Sequence, residues 1–99
     1  MKKNARVYIS GKMDGEPNYN KEKFDAAESL LKQYGYKVFN PAKLIGKHKT
    51  RKEYMRKDIE ELLKCDGVAL IPGWTYSRGA KLEVDICVEL GIPFWEIKV

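Results

Sequence analysis

Gly67-Val68-Ala69-Leu70-Ile71-Pro72-Gly73 is the stretch whose reading decides the fold. Its unbroken apolar run has no alternating polar position, which is the pattern of a strand buried on both faces, and Pro72-Gly73 closes it with a turn. Such a strand needs cover above and below, and the flanking sequence supplies it. Upstream, Met55, Ile59, Leu62 and Leu63 recur at helical spacing between about Lys52 and Lys64. Downstream, Arg78 to Leu90 carries Ala80, Leu82, Val84, Ile86, Cys87, Val88 and Leu90 before Gly91. A helix apolar over so much of its circumference is expected to be buried by sheet, neighbouring helix or partner subunit.

Further out, Arg6-Val7-Tyr8-Ile9-Ser10 is a β-branched and aromatic strand stopped by Gly11 and a turn-rich run through Gly15, Pro17 and Asn18. Asn20 is placed as the N-cap of a helix reaching Tyr34, with Phe24, Ala27, Leu30, Leu31 and Tyr34 on one stripe and Gly35 as the closing residue. Tyr36 to Phe39 is a short strand that Asn40-Pro41 ends, and Pro93 to Val99 gives a last strand. Strict alternation of strand and helix with short joints predicts an α/β fold of three layers. It has a four-stranded parallel sheet with helices on both faces, flavodoxin- or Rossmann-like, spanning residues 1–99 as one domain.

Composition narrows the functional classes. The chain has 99 residues, 43% apolar and 33% charged, with Gly and Pro dispersed, so disorder and fibrous classes are excluded. No apolar run approaches a membrane span and the first residues lack a secretory pattern, so a cytoplasmic protein is expected. Cys65 and Cys87 stand far apart without a Cys-x-x-Cys and with a single His, so neither a metal site nor a disulfide is expected. The net charge of +5 is unevenly spread: residues 1–57 carry +9 and residues 58–99 carry −4. The densest cationic stretch, Lys43 to Lys57, reads as a solvated loop and helix face in preference to a nucleic-acid footprint, because no series of aromatics is interleaved as a stacking platform.

In parallel sheets of this kind, ligands bind outside the carboxyl ends of the strands. That directs attention to Ser10 to Asn18, Asn40 to Thr50 and Pro72 to Arg78. Ser10 and Gly11, at a strand end, face a sugar or phosphate or simply form a βα turn. Asp58, beside apolar Ile59, is either a site carboxylate or a surface acid paired with a neighbouring Lys, whereas Glu60 and Glu61 read as solvated. Ser77 is placed as an N-cap and Glu83 follows inside the first two turns of an otherwise apolar helix. A carboxylate there is costly unless it is paired or used, the alternative being stabilisation of the helix N-terminus. Trp74 and Tyr76, in the loop between, close over a ligand, pack on a partner or lid the core edge.

Taken in order, Tyr-Ile-Ser-Gly-x-Met (Tyr8 to Met13), Asn-Pro (Asn40, Pro41), Tyr-Met-Arg-x-Asp-Ile (Tyr54 to Ile59), Cys-Asp, Pro-Gly-Trp and Ser-x-Gly-Ala-x-x-Glu (Ser77 to Glu83) resemble a small family frequent in bacteriophage genomes. That family is itself similar to the nucleoside 2-deoxyribosyltransferases and the 2′-deoxynucleoside 5′-phosphate N-hydrolases. The resemblance covers the chain from Tyr8 to about Ile97. It implies that Glu83 is the nucleophile on C1′ of a deoxynucleoside, that Asp58 is a sugar or acid-base residue, and that Tyr8 positions the nucleophile. It further implies a substrate-binding set of Ser10, Gly11, Lys12, Met13, Asn40, Ser77 and Gly79, with Lys12 standing where the N-hydrolases carry an Arg for the 5′-phosphate. The implied activity is cleavage or transfer at the N-glycosidic bond of a deoxynucleoside or nucleotide, with no cofactor and no metal. A homodimer or higher oligomer is implied, and the carboxyl-terminal segment with which the transferases complete a neighbour's site is expected to be absent after Val99. A non-catalytic module binding a nucleotide-derived ligand is the alternative.

Overall fold

Gly67, Val68, Ala69 and Leu70 are all buried, as a strand with cover on both faces requires. In the computed structural model, which describes residues 1–99, they form the third of four strands. The elements are β1 (Arg6–Ser10), α1 (Lys21–Gln33), β2 (Lys37–Phe39), α2 (Arg51–Leu62), β3 (Gly67–Leu70), α3 (Arg78–Leu90) and β4 (Phe94–Glu96). All strand pairs are parallel and the order across the sheet is β2-β1-β3-β4. The expected three-layer α/β architecture is therefore present.

Successive residues of a strand point to opposite faces, and β1 sorts the core accordingly. Val7 and Ile9 join Phe24, Ala27 and Leu31 of α1, together with Ala69, Ile71 and Ile97. Tyr8 joins Leu62 of α2, Cys87 of α3, Cys65, Val68 and Leu70. One helix thus covers the first face and two cover the second. Gly11, just past β1, has no room for a side chain: a Cβ there would lie 3.0 Å from that of Ile71 and 3.3 Å from the Phe24 ring. No helix is long and apolar enough to cross a membrane.

Several local expectations are corrected. Asn20 precedes α1 but is left-handed (φ 63°) and makes no capping bond; its amide donates instead to the Lys12 carbonyl at 3.0 Å. Left-handed Asn18 and Tyr19 precede it, so the chain enters α1 through a turn that points the Asn20 side chain back along its own loop. Tyr34 lies one residue past α1 and is 66% exposed, off the buried stripe. Its ring helps to line an open apolar groove of about 500 Å³ with Leu30, Tyr36, Trp95 and Ile97. β4 is only three residues long. α3 buries Ala80, Glu83 and Cys87 but leaves Leu82, Val88 and Leu90 exposed, because a helix lying on a sheet turns only part of its circumference inward. Glu61 is buried rather than solvated, held by Lys57 at 2.9 Å and Lys64 at 3.4 Å.

Candidate active site

The chain moves from β1 to one side of the sheet for β2 and then to the other for β3, so the switch in strand order falls beside β1. Tyr8 and Ser10, two residues apart on β1, project to the face covered by α2 and α3. Glu83 meets them from α3. That helix is set by Ser77, whose hydroxyl accepts from the Ala80 amide at 3.1 Å. Six residues after the cap, Glu83 falls on the same inward stripe as Ala80 and Cys87 and is only 5% exposed.

Both oxygens of the Glu83 carboxylate are held. Tyr8 donates its hydroxyl to Oε2 at 2.5 Å and Ser10 donates its hydroxyl to Oε1 at 2.7 Å. Burial raises the Glu83 pKa, and the two hydroxyl donors oppose that rise by favouring the charged form. Burial, with the neighbouring Glu83 and Asp58 charges, pushes the Tyr8 phenol well above its ordinary value, so Tyr8 remains a donor. Its ring stacks on Phe39 of β2, with centroids 5.5 Å apart and planes 13° from parallel. The two residues are register partners across the β1–β2 ladder.

Asp58 approaches from α2. Its Oδ1 is buried without any hydrogen-bond partner, and burial, reinforced by Glu83, pushes its pKa up to about 7. Two hydroxyl donors favour the charge of Glu83 and none favours that of Asp58, which at about 7 is available as a proton donor near neutrality. Two neighbouring carboxyls in contrasting surroundings, one held by two donors and one with an unpartnered oxygen, suit the separate parts of nucleophile and proton donor.

A family model described as Domain of unknown function (DUF4406) matches residues 5–95. The chain belongs to that family. Among solved structures, it is similar to the 2-deoxyribosyltransferase of the psychrotolerant bacterium Bacillus psychrosaccharolyticus, with a TM-score of 0.74 and 23% identity over 93% of this chain and 71% of that one. At that identity the likeness is one of fold, and this DUF4406 member has the nucleoside 2-deoxyribosyltransferase-like fold that its motifs imply. No curated protein matches it in sequence.

Of the residues singled out from sequence, Tyr8, Ser10, Glu83 and Asp58 are gathered by the fold. Ser77 and Gly79 open α3, where a Cβ on Gly79 would reach the Met55 sulfur at 3.4 Å, so the start of α3 and the middle of α2 face each other closely. Lys12 folds back on its own loop, its ammonium on the Asp14 carbonyl. Met13 packs half-buried with the α1 side of the core. Asn40 has its side chain bonded to Asp25, Glu28 and the Ala42 amide. Trp74 donates from Nε1 to Glu96 at 3.3 Å, tying the loop after β3 to β4, while Tyr76 stands free. No three His, Cys, Asp or Glu side chains converge as metal ligands would. Phe39 and Met55 were read from sequence only as parts of a strand and a helix, not as neighbours of the site. Phe39 could have been found by pairing the first two strands, since in-register parallel strands place it beside Tyr8.

Proposed function

We propose that the protein binds a deoxynucleoside or deoxynucleotide and cleaves its N-glycosidic bond through Glu83. The observation that carries this reading is the buried Glu83 carboxylate, oriented by Tyr8 and Ser10, beside a half-buried Asp58 whose Oδ1 is buried and unpartnered. A Glu83 oxygen attacks C1′ while the C1′–N bond breaks. The departing base takes the proton of Asp58, and a deoxyribosyl ester of Glu83 remains. Water then attacks C1′, giving its proton to the Asp58 carboxylate and releasing the sugar; a second base in place of water gives transfer. Dividing one displacement into two suits an oxocarbenium-like transition state next to a fixed carboxylate. The tyrosine and serine hydroxyls hold the carboxylate in attacking position and screen its charge until the sugar develops positive character.

The likeness in fold to a 2-deoxyribosyltransferase supports the sugar class, and the absence of any partner on Asp58 Oδ1 supports a ligand contact there. A cytoplasmic homodimer, in which the exposed Leu82, Val88 and Leu90 of α3 are covered, belongs to the same reading. The test is incubation with each deoxynucleoside and its 5′-monophosphate, following released base by chromatography. Base release that falls at least about 1000-fold in Glu83→Gln is expected, the scale on which loss of a catalytic nucleophile acts. Tight ligand binding without turnover at high protein concentration overturns the enzymatic reading, and full activity in Glu83→Gln overturns the mechanism.

A further inference from the structure

Asn40 sits immediately after Phe39 at the end of β2 and is 5% exposed. Its amide nitrogen donates to Asp25 Oδ1 and to Glu28 Oε1, both at 2.9 Å, and its oxygen accepts from the Ala42 amide at 2.9 Å. Both N–H groups are therefore spent, and no donor is left for a ligand. The carboxylates it grips are themselves fixed on α1. Lys21 pairs with Asp25 at 2.8 Å, Lys32 pairs with Glu28 at 2.7 Å, and Lys43, in the turn after Asn40, reaches Glu28 at 3.5 Å. Hydrogen bonds to Lys21 and then Asn40 hold the Asp25 pKa down; for Glu28, burial pushes upward but Lys32, Asn40 and Lys43 outweigh it. Both remain charged acceptors, and bonds to charged groups are the stronger kind.

The end of β2 is thus bolted to α1 on one face of the sheet while the Phe39 ring lies against Tyr8 on the other. A three-residue strand at the sheet edge has few ladder bonds of its own to hold a ring in place. We propose that Asn40 is a positioning residue for the Glu83 nucleophile, acting through the Phe39 ring on the Tyr8 hydroxyl that holds the Glu83 carboxylate. The inference rests on the reading of Glu83 as nucleophile for its kinetic consequence, but its structural content is independent of turnover. It also gives Asn40 a different role from the ligand contact implied by the sequence motif: an anchor three contacts away from the reacting atom.

Two measurements test it. In the first, the Glu83 side-chain carboxyl is titrated by carbon-detected NMR in the free protein, with Tyr8, Ser10, Asp58 and Cys87 as the groups that face it. Loss of the Tyr8 bond removes a contact that favours the charged form, so the midpoint is expected to rise in Tyr8→Phe and, by about 0.5–1 pH unit, in Asn40→Ala and Phe39→Leu. Phe39→Tyr keeps the ring and is expected to keep the wild-type midpoint. In the second, kcat falls about 3- to 10-fold in Asn40→Ala and Phe39→Leu with KM within about twofold, and neither change costs further rate in a Tyr8→Phe background. Phe39→Leu keeps the test decisive if Asn40→Ala does not fold. An unchanged Glu83 midpoint in Phe39→Leu or a folded Asn40→Ala overturns the inference, as does a raised KM with unchanged kcat, which would make Asn40 a substrate contact. If the wild-type protein releases no base, the glycosidic reading fails alone and the titration still decides the anchor.

Discussion

Asp58 carries a buried side-chain oxygen that meets no hydrogen-bond partner, and a fold tolerates such a group only at a cost in stability. The cost has a definite pH dependence. Because the folded-state pKa, about 7, lies above the unfolded value of about 3.9, the native state binds the extra proton between those limits, and stability falls as pH rises through them. Asp58→Asn is therefore expected to gain about 1–3 kcal/mol relative to wild type on going from pH 5 to pH 8, measured by urea denaturation at each pH. Parallel pH curves for the two proteins would show that Asp58 titrates normally. In the proposed reaction the same proton is the one given to the leaving base, so the alkaline limb of the rate profile is expected near pH 7 and to vanish with Asp58→Asn. Glu83 was conspicuous in the sequence as a carboxylate on an apolar helix, Ser10 stood out only as a strand-end residue that an ordinary turn would explain equally, and Tyr8 was pointed to by the resemblance alone. Asp58 was legible only as an alternative: Lys57 beside it offered a plausible partner, and sequence cannot show that Lys57 turns instead to Glu61. Glu61 itself was misread because its neighbour Glu60 is a solvated acid, although Lys57 and Lys64 flank it at helical spacing.

Among the elements, α3 is the one whose start sets the chemistry. Ser77 makes the only side-chain cap of that helix, and its hydroxyl satisfies an otherwise orphaned amide just above the carboxylate. Ser77→Ala is expected to lose about 1 kcal/mol in chemical denaturation, the usual worth of such a cap. A loss below about 0.3 kcal/mol would mean that solvent satisfies Ala80 as well as Ser77 does. This cap was legible because Ser before a helical run has one dominant local use. Asn20 was not, because Asn serves equally as a cap and as a left-handed residue, and the choice depends on how the loop from Gly11 folds back. Short edge strands were legible in position and not in length, since their ends depend on which neighbour remains to pair with. The apolar excess of α3 indicated that something covers it, and the sheet supplies only part of that cover.

At the scale of the molecule, alternation of strand and helix was enough to predict the parallel sheet, because parallel neighbours need crossovers and the joints are too short for other topologies. The order of strands was not readable, since nothing local records on which side of β1 each crossover lands. The basic front half of the chain resolves into two groups once folded. Lys21, Lys32, Lys43 and Lys57 are paired with carboxylates, whereas Lys47, Lys49, Arg51, Lys52 and Arg56 form no ion pair. The two-sided layering also separates the cysteines from half of the core. Cys65 and Cys87 both belong to the α2–α3 side and neither touches the α1 side. Burial raises both thiols to about 11, so thiol reagents meet little thiolate until that layer opens. Labelling under native conditions is expected to follow the slow opening of the layer and to slow further when the carboxylate site is filled, as read by mass spectrometry over time; immediate modification of both residues would show that the layer is loose. The protein thus holds a chemical clock on one face: each loosening of the wall behind Glu83 leaves a covalent mark, and loosening of α1 on the opposite face leaves none.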